Sequence, residues 1–259
     1  MLLCLDVGNT HIVGTLFEGK KVDLRFRYAT AQVGTSDQFG LFLRDIFSTH
    51  GVDYAIVKAV AVSSVVPGVD YSLRHALTTY FPKAEQFILQ GNAVSGIAVK
   101  YKNPAEVGAD LIAGALGAVD AHPNKNLIVI DLGTATTLAA VTKKAEFLGG
   151  VILPGIRLSM ESLKSNTAKL MEVDITQPAA YLGQSTRECI QSGLYYGHLG
   201  AMREIVAGYN RELFAGDPAV VVATGGFSQM FKDQKIFDDI QPDLVSQGIR
   251  IAYEKSKAA

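Results

Sequence analysis

Cysteine is almost absent from the chain: Cys4 and Cys189 are the only two among 259 residues. Two thiols are far too few for a disulfide scaffold, and both read as small buried hydrophobes. The five histidines are scattered without the spacing of a zinc ligand set. An excess of one charge is missing as well, since 24 Lys and Arg against 25 Asp and Glu leave a net charge of −1. With no Lys/Arg-rich run either, neither nucleic acid nor an anionic membrane is expected as a partner. No apolar run reaches the roughly 20 residues that span a bilayer. Asp6 interrupts the first apolar stretch and no basic segment precedes it, so no secretory leader is expected. The chain reads as cytoplasmic. Also lacking are the G-x-x-x-x-G-K-[ST] loop and the protein-kinase signature set, any low-complexity tract and any long linker.

What is present begins at Leu2–Thr10, LLCLDVGNT. A short apolar run, enough for a buried strand, leads into Asp6-Val7-Gly8-Asn9-Thr10. A carboxylate, a turn-permitting glycine, an amide and a hydroxyl follow in quick order. Such a turn can aim backbone N–H groups at a phosphate while the carboxylate faces its metal ion. The pattern returns at Leu127–Val141, LIVIDLGTATTLAAV. Asp6 aligns with Asp131, Gly8 with Gly133, Asn9 with Thr134, and His11 and Ile12 with Thr136 and Thr137. Each copy continues as an apolar strand to a polar turn, so each half opens with a β-hairpin. A repeat at half-chain spacing predicts two similar domains, residues 1–118 and 119–259, with both bends facing the cleft between them. The length fits two modest domains and can bury about 75% of the unfolded surface.

Val22–Tyr28 predicts a third strand. Ser36-Asp37 predicts the cap of a helix whose apolar face is Phe39, Phe42, Leu43, Ile46 and Phe47. Ala59–Val62 reads as a buried strand, Pro67-Gly68 as a break before a helix at Tyr71–Tyr80, and Phe87–Leu89 as a short strand. The order β-β-β-α-β-α is that of an α/β unit with a mixed sheet. Leu111–Val119, LIAGALGAV, is apolar all round and predicts a tightly packed, buried helix. Asp110 stands at its first turn, where it can cap the helix, act as a base, or do both. In the second half, Gly149–Gly155 predicts a strand ending at a Pro-Gly turn. Thr186–Leu213 predicts a long helix with Gly193, Gly197 and Gly200 along it, suited to an intrachain helix pair or a subunit contact. Ala219–Ala223 delivers Thr224-Gly225-Gly226 at its carboxyl end, where ligands bind in such sheets. A helix from Leu244 closes the chain.

Two acidic bends facing one cleft set an electrostatic condition. Carboxylates about 4 Å apart repel by about 4 kcal/mol at an effective dielectric of about 20, and a triphosphate between them adds to the repulsion. Cations must therefore accompany a nucleotide: Mg²⁺, held mostly through waters and phosphate oxygens, and a second, softly held ion. Phosphoryl transfer then needs alignment, charge neutralisation and a group that orients the attacking hydroxyl. Asp110 is the candidate general base.

The duplicated D-x-G-[NT] bends resemble those of the acetate and sugar kinase, heat-shock cognate and actin superfamily. Further stretches narrow the resemblance to the type III pantothenate kinase family. They are Asp6–Thr10, Gly108-Ala109-Asp110, Asp131–Thr137, Gly150–Gly155, Thr167–Leu170, Gln191-Ser192-Gly193, Thr224-Gly225-Gly226 and Pro242–Gly248. Together they cover essentially the full length, and the ordered set is specific where each motif alone is loose. The resemblance implies an α/β fold of two ribonuclease H-like domains in the duplicated actin-like ATPase arrangement, with mixed five-stranded sheets flanked by helices. It implies an ATP-dependent kinase that phosphorylates pantothenate at the first step of coenzyme A biosynthesis. ATP phosphates and Mg²⁺ would meet Asp6, Val7, Gly8, Asn9, Thr10, His11, Ile12 and Val13, with Asp6 on the Mg²⁺ and Thr134 a second nucleotide contact. Tyr101, Gly108, Ala109, Asp110 and Leu111 would line the pantothenate pocket, with Asp110 the proton acceptor. Asp131 would hold a monovalent cation, K⁺ or NH₄⁺. Thr186 matches a threonine that reaches pantothenate across a homodimer interface.

One departure is Leu111, where the family usually carries arginine; leucine cannot grip an anionic group bidentately. Lys102 and Arg157 are the cations that could substitute. A milder departure is Ser185, where the family commonly has asparagine. Two further readings share the scaffold: a non-catalytic nucleotide-binding regulator, and a phosphohydrolase in which Asp110 activates water. The near-zero net charge speaks against the first as a DNA-binding factor.

Overall fold

The computed structural model describes residues 1–91 and 96–258. The chain divides into two compact units, Met1–Asp120 with Asp243–Ala259, and Ala121–Pro242. Among the described residues no helix is long and apolar enough to cross a membrane.

In the first unit, β1 (Leu2–Val7), β2 (His11–Glu18) and β3 (Lys21–Ala29) form an antiparallel meander. β4 (Ala59–Ser64) pairs parallel with β1, and β5 (Glu85–Ile88) parallel with β4, giving the order β3-β2-β1-β4-β5. Leu3, Leu5 and Val7 on β1 pack with Phe39, Leu43 and Phe47 of α1 (Ser36–Thr49) and with Leu73 and Leu77 of α2 (Pro67–Tyr80). The cap of α1 is Thr35, one residue before the expected Ser36-Asp37. Its hydroxyl accepts from Gln38 N–H at 3.3 Å while Gln38 Oε1 accepts from Thr35 N–H at 2.8 Å. Two orphan donors are satisfied reciprocally, which Ser36 could not do with Phe39 three residues on. Pro67 starts α2 rather than breaking the chain before it, since a first-turn proline lacks only an N–H that has no helical partner. A two-residue strand, β6 (Ala98–Val99), precedes α3 (Ala109–Ala121), which is buried from Ile112 to Ala118.

The C-terminal helix, α6 (Leu244–Ala258), belongs to this first unit. The expected second domain of 119–259 therefore loses its last stretch, from Asp243 onward. Packing explains the return. A β-carbon on Gly117 of α3 would overlap Leu244 O of α6, and one on Gly248 of α6 would overlap Ala113 O of α3. Paired glycines let the two helix backbones touch. Thr15 Oγ1 donates to Ser246 Oγ at 2.9 Å inside the core, and Arg25 grips the Asp243 carboxylate with Nε and Nη2.

The second unit repeats the plan. β7 (Leu127–Leu132), β8 (Ala135–Val141) and β9 (Glu146–Pro154) make the meander, and β10 (Val220–Thr224) and β11 (Asp239–Ile240) add in parallel. The unit's own five strands, in the order β9-β8-β7-β10-β11, match the first unit strand for strand, although this sheet is six-stranded where five strands were expected. α4 (Ile156–Ser165) and the long α5 (Thr186–Glu212) supply Met160, Leu194, Tyr195 and Met202 to a core with Ile128, Ile130 and Leu138. The expected duplicated α/β architecture with mixed sheets is what the chain forms.

Candidate active site

Asp6 sits one residue before the end of β1, half-buried, paired with Val13 on β2 and Ser63 on β4. Beyond it the chain turns through Gly8, Asn9 and Thr10, closed by Gly8 N–H donating to His11 O at 3.1 Å. The bend is held from one side by Thr30, just past β3. Thr30 N–H donates to Thr10 O at 3.0 Å and Thr30 Oγ1 donates to Gly8 O at 2.6 Å. Asn9, Thr10 and His11 are exposed at the tip, whereas Val7 and Ile12 are fully buried core residues. The side chains of Val7 and Ile12 are thus out of reach of any ligand, because the alternation that brings Asp6 and Val13 to the rim turns them into the core. They can contribute only backbone groups. Ser63 Oγ, in register with Asp6, is buried with no hydrogen-bond partner among the described residues.

Asp110 is in the first turn of α3, after Gly108, whose carbonyl accepts from Ile112 N–H at 3.3 Å. Its Oδ1 accepts from Leu111 N–H at 2.8 Å, so the carboxylate does satisfy one orphan donor of the helix. A β-carbon on Gly108 would overlap Asp110 Oδ1, so any other residue there would displace the carboxylate from its present position. Burial raises the Asp110 carboxyl above the usual Asp value, and the backbone N–H bonds offset that only in part. A carboxylate held this way moves toward the range of a working general base. Ala109 is buried, Gly108 and Leu111 are half-buried, and Tyr101 and Lys102 are exposed.

Asp131 stands one residue before the end of β7 as Asp6 does in β1, paired with Thr137 on β8 and Thr224 on β10. Its carboxylate rests against two glycines. A β-carbon on Gly133 would lie 3.5 Å from Oδ1, and one on Gly225 would overlap it. Gly225 has φ +87°, which a β-branched residue could not hold without strain. Gly133 N–H donates to Ala135 O at 3.1 Å, and Gly155 N–H, just past β9, donates to Thr134 O at 3.0 Å. Thr134 is exposed at the tip.

Strand register corrects the expected alignment of the two bends. Val7 pairs with Ile12 and Leu132 with Thr136, so Ile12 and Val13 correspond to Thr136 and Thr137, not His11 and Ile12. Thr30 N–H to Thr10 O and Gly155 N–H to Thr134 O make Thr10 the counterpart of Thr134. The first bend is one residue longer, and a fixed sequence offset carries through only as far as the glycine. Thr30 is not legible in the sequence, because a lone threonine after a strand carries no pattern. Ser63 and Thr224, the hydroxyl neighbours of the two aspartates, become visible only once β4 and β10 pair with β1 and β7.

Thr186 is the exposed first residue of α5, after Ser185, whose hydroxyl accepts from Glu188 N–H at 3.3 Å. It borders an open groove of about 900 Å³ between α4 and α5, floored by Leu153, Leu158, Leu163, Leu170 and Leu194. Gly193, Gly197 and Gly200 on α5 have nothing among the described residues within 4 Å of a β-carbon, so no close helix approach among those residues depends on them. Arg157 lies over the Phe227 ring at 5.9 Å. Among the described residues no group of three or more His, Cys, Asp and Glu could hold a metal ion.

Twin mixed sheets of matching strand order place the chain in the actin-like kinase and ATPase fold class, and solved structures share the fold. A ROK hexokinase from Thermus thermophilus superposes with a TM-score of 0.52 at 16% identity, covering 100% of this chain and 99% of its own. A structure described as a conserved putative Baf family transcriptional activator from Campylobacter jejuni superposes at 0.63 with 18% identity, over 99% and 100%. The type III pantothenate kinase family model matches residues 2–208. A type III pantothenate kinase of Legionella pneumophila is 49% identical over 97% of this chain and 98% of its own, and one of Francisella tularensis subsp. holarctica is 40% identical over 99% and 100%. The chain belongs to the type III pantothenate kinase family.

Proposed function

We propose that the two clamped bends and Asp110 form the catalytic apparatus of an ATP-dependent kinase that phosphorylates the primary alcohol of pantothenate to 4'-phosphopantothenate, the first step of coenzyme A biosynthesis. The observation that supports this reading most is the strand-for-strand duplication of an acid-bearing bend in a chain of this family. The exposed tip of the first bend, Asn9 and Thr10, presents backbone N–H groups to the ATP phosphates, Gly8 N–H being already taken by His11 O. Thr134 on the second bend makes a further nucleotide contact. Gly108, Ala109, Leu111 and Tyr101 shape the pantothenate pocket, and Asp110 takes the proton from the attacking hydroxyl.

The donors fit the expected ions. Asp6 is a single carboxylate beside the orphan hydroxyl of Ser63, which suits a Mg²⁺ that keeps waters and phosphate oxygens as most of its shell. Mg²⁺ there neutralises charge on the phosphates. Asp131, cradled by Gly133 and Gly225, suits a weakly held K⁺ or NH₄⁺, which balances charge at the second bend. The groove beside Thr186, its leucine floor and the unopposed glycines of α5 support a homodimer in which Thr186 reaches the partner's pantothenate.

The test is ADP release measured with and without pantothenate at fixed ATP, Mg²⁺ and K⁺. Release that requires pantothenate supports the kinase. Phosphate release without pantothenate identifies a hydrolase, and turnover in neither condition identifies a nucleotide switch.

A further inference from the structure

The two bends are held by different chemistry, and the difference follows their lengths. At the second bend the clamp is one backbone bond, Gly155 N–H to Thr134 O at 3.0 Å. A side chain is excluded there, because a β-carbon on Gly155 would overlap Thr134 O and stand 2.5 Å from Gly133 O. At the first bend the same backbone bond recurs, Thr30 N–H to Thr10 O at 3.0 Å. The extra residue, however, leaves the Gly8–Asn9 peptide outside its reach. The Thr30 hydroxyl supplies what the backbone cannot, donating to Gly8 O at 2.6 Å.

That bond sets the direction of the peptide. In a trans peptide the carbonyl and the following N–H point opposite ways, and no cis bond occurs among the described residues. Gly8 C=O turned toward Thr30 therefore turns Asn9 N–H to the opposite side of the bend. Glycine at position 8 would otherwise let this peptide flip at little cost. Thr30 is itself 4% exposed, so its hydroxyl is fixed by packing and not offered to solvent.

We infer that Thr30 is a positioning residue of the kinase: its buried hydroxyl locks the Gly8–Asn9 peptide so that Asn9 N–H is preset to receive an ATP phosphate. The inference rests on the reading of the first bend as the phosphate site. Locking a donor before the ligand arrives removes an ordering cost from binding.

The experiment compares Thr30→Val, which keeps the shape and loses the hydroxyl, with Thr30→Ser, which keeps the hydroxyl and loses a methyl. Steady-state kinetics and calorimetric titration with a non-hydrolysable ATP analogue are read together. For Thr30→Val the KM for ATP and the analogue Kd should rise about five- to tenfold, the value of one hydrogen bond. The KM for pantothenate should stay within twofold, and Thr30→Ser should restore both nucleotide constants. Nucleotide constants unchanged in Thr30→Val, or equal losses in both variants, overturn the role, since a purely structural threonine follows volume and not the hydroxyl. Should Thr30→Val fail to fold, Thr30→Cys, nearly the same size with a much weaker donor, reads the same constants. Failure of the underlying reading is separate: the unsubstituted protein would then bind no ATP analogue.

Discussion

Gly225 closes over Asp131: at φ +87° its α-carbon faces the carboxylate so closely that a β-carbon would overlap Oδ1 and lie 2.6 Å from Leu132 N. The approach places the carbonyl end of β10 directly against the second bend. Gly225 O in turn accepts from Ser228 N–H at 3.2 Å and Ser228 Oγ at 2.8 Å, which holds the loop in that position.

Gly225→Ala should displace the Asp131 carboxylate and leave the cores intact. Strain at positive φ and overpacking together cost about 1–3 kcal/mol. Turnover is expected to fall at least about tenfold, with the K⁺ concentration for half-activation raised. A K⁺ titration of the variant that superimposes on the unsubstituted protein would show that the carboxylate does not hold the ion.

Asp110 should govern the acid limb of the pH profile. Its folded-state carboxyl is raised by burial, so the ionised base is lost on acidification at a higher pH than for an exposed Asp, about 3.9. Asp110→Asn is expected to lower kcat by about 10²–10⁴ and leave ATP-analogue affinity unchanged. The sign for stability is opposite. A raised pKa means that the native state holds the proton more tightly than the unfolded chain. The stabilisation this contributes is present at low pH and is lost as pH rises through the folded value. Near neutrality the buried ionised carboxylate is a cost, and Asp110→Asn should melt no lower than the unsubstituted protein. A lower melting point together with near-normal kcat would make Asp110 a structural cap.

Gly248→Ala tests the return of α6 to the first unit. Its β-carbon would overlap Ala113 O, a backbone atom of a buried helix that cannot give way. Destabilisation of about 3 kcal/mol is expected, of the size of severe core overpacking, read as a shift in the denaturant midpoint. Gly68→Ala in the first turn of α2, with nothing among the described residues near its β-carbon, should not destabilise in the same assay.

Much of the fold was legible from local pattern. The meander strands, α1, the buried α3 and the long α5 stand close to where apolar periodicity put them, because each buries one face or both and the sequence must show it. The caps were less visible: Thr35 and Ser36 are equally suitable residue types, and only the reach to Gln38 decides between them. The placement of α6 was not legible, since Gly117 and Gly248 acquire meaning only when they face Leu244 and Ala113. In the site, Asp6, Asp110, Asp131 and their glycines could be named from spacing. The family resemblance adds Val7 and Ile12, and strand alternation turns their side chains into the core.

The order of residues alone determined that the chain carries one acidic bend twice, with a carboxylate before an apolar helix between them. Covalent neighbours and short periodicities suffice for that. Tertiary structure decided how each bend is held: which strands flank Asp6 and Asp131, that the first bend is a residue longer, and that Thr30 and Gly155 clamp them. Those facts depend on hydrogen bonds between segments from about twenty to about ninety residues apart, whose partners are chosen by sheet register and close packing and leave no local trace in the chain.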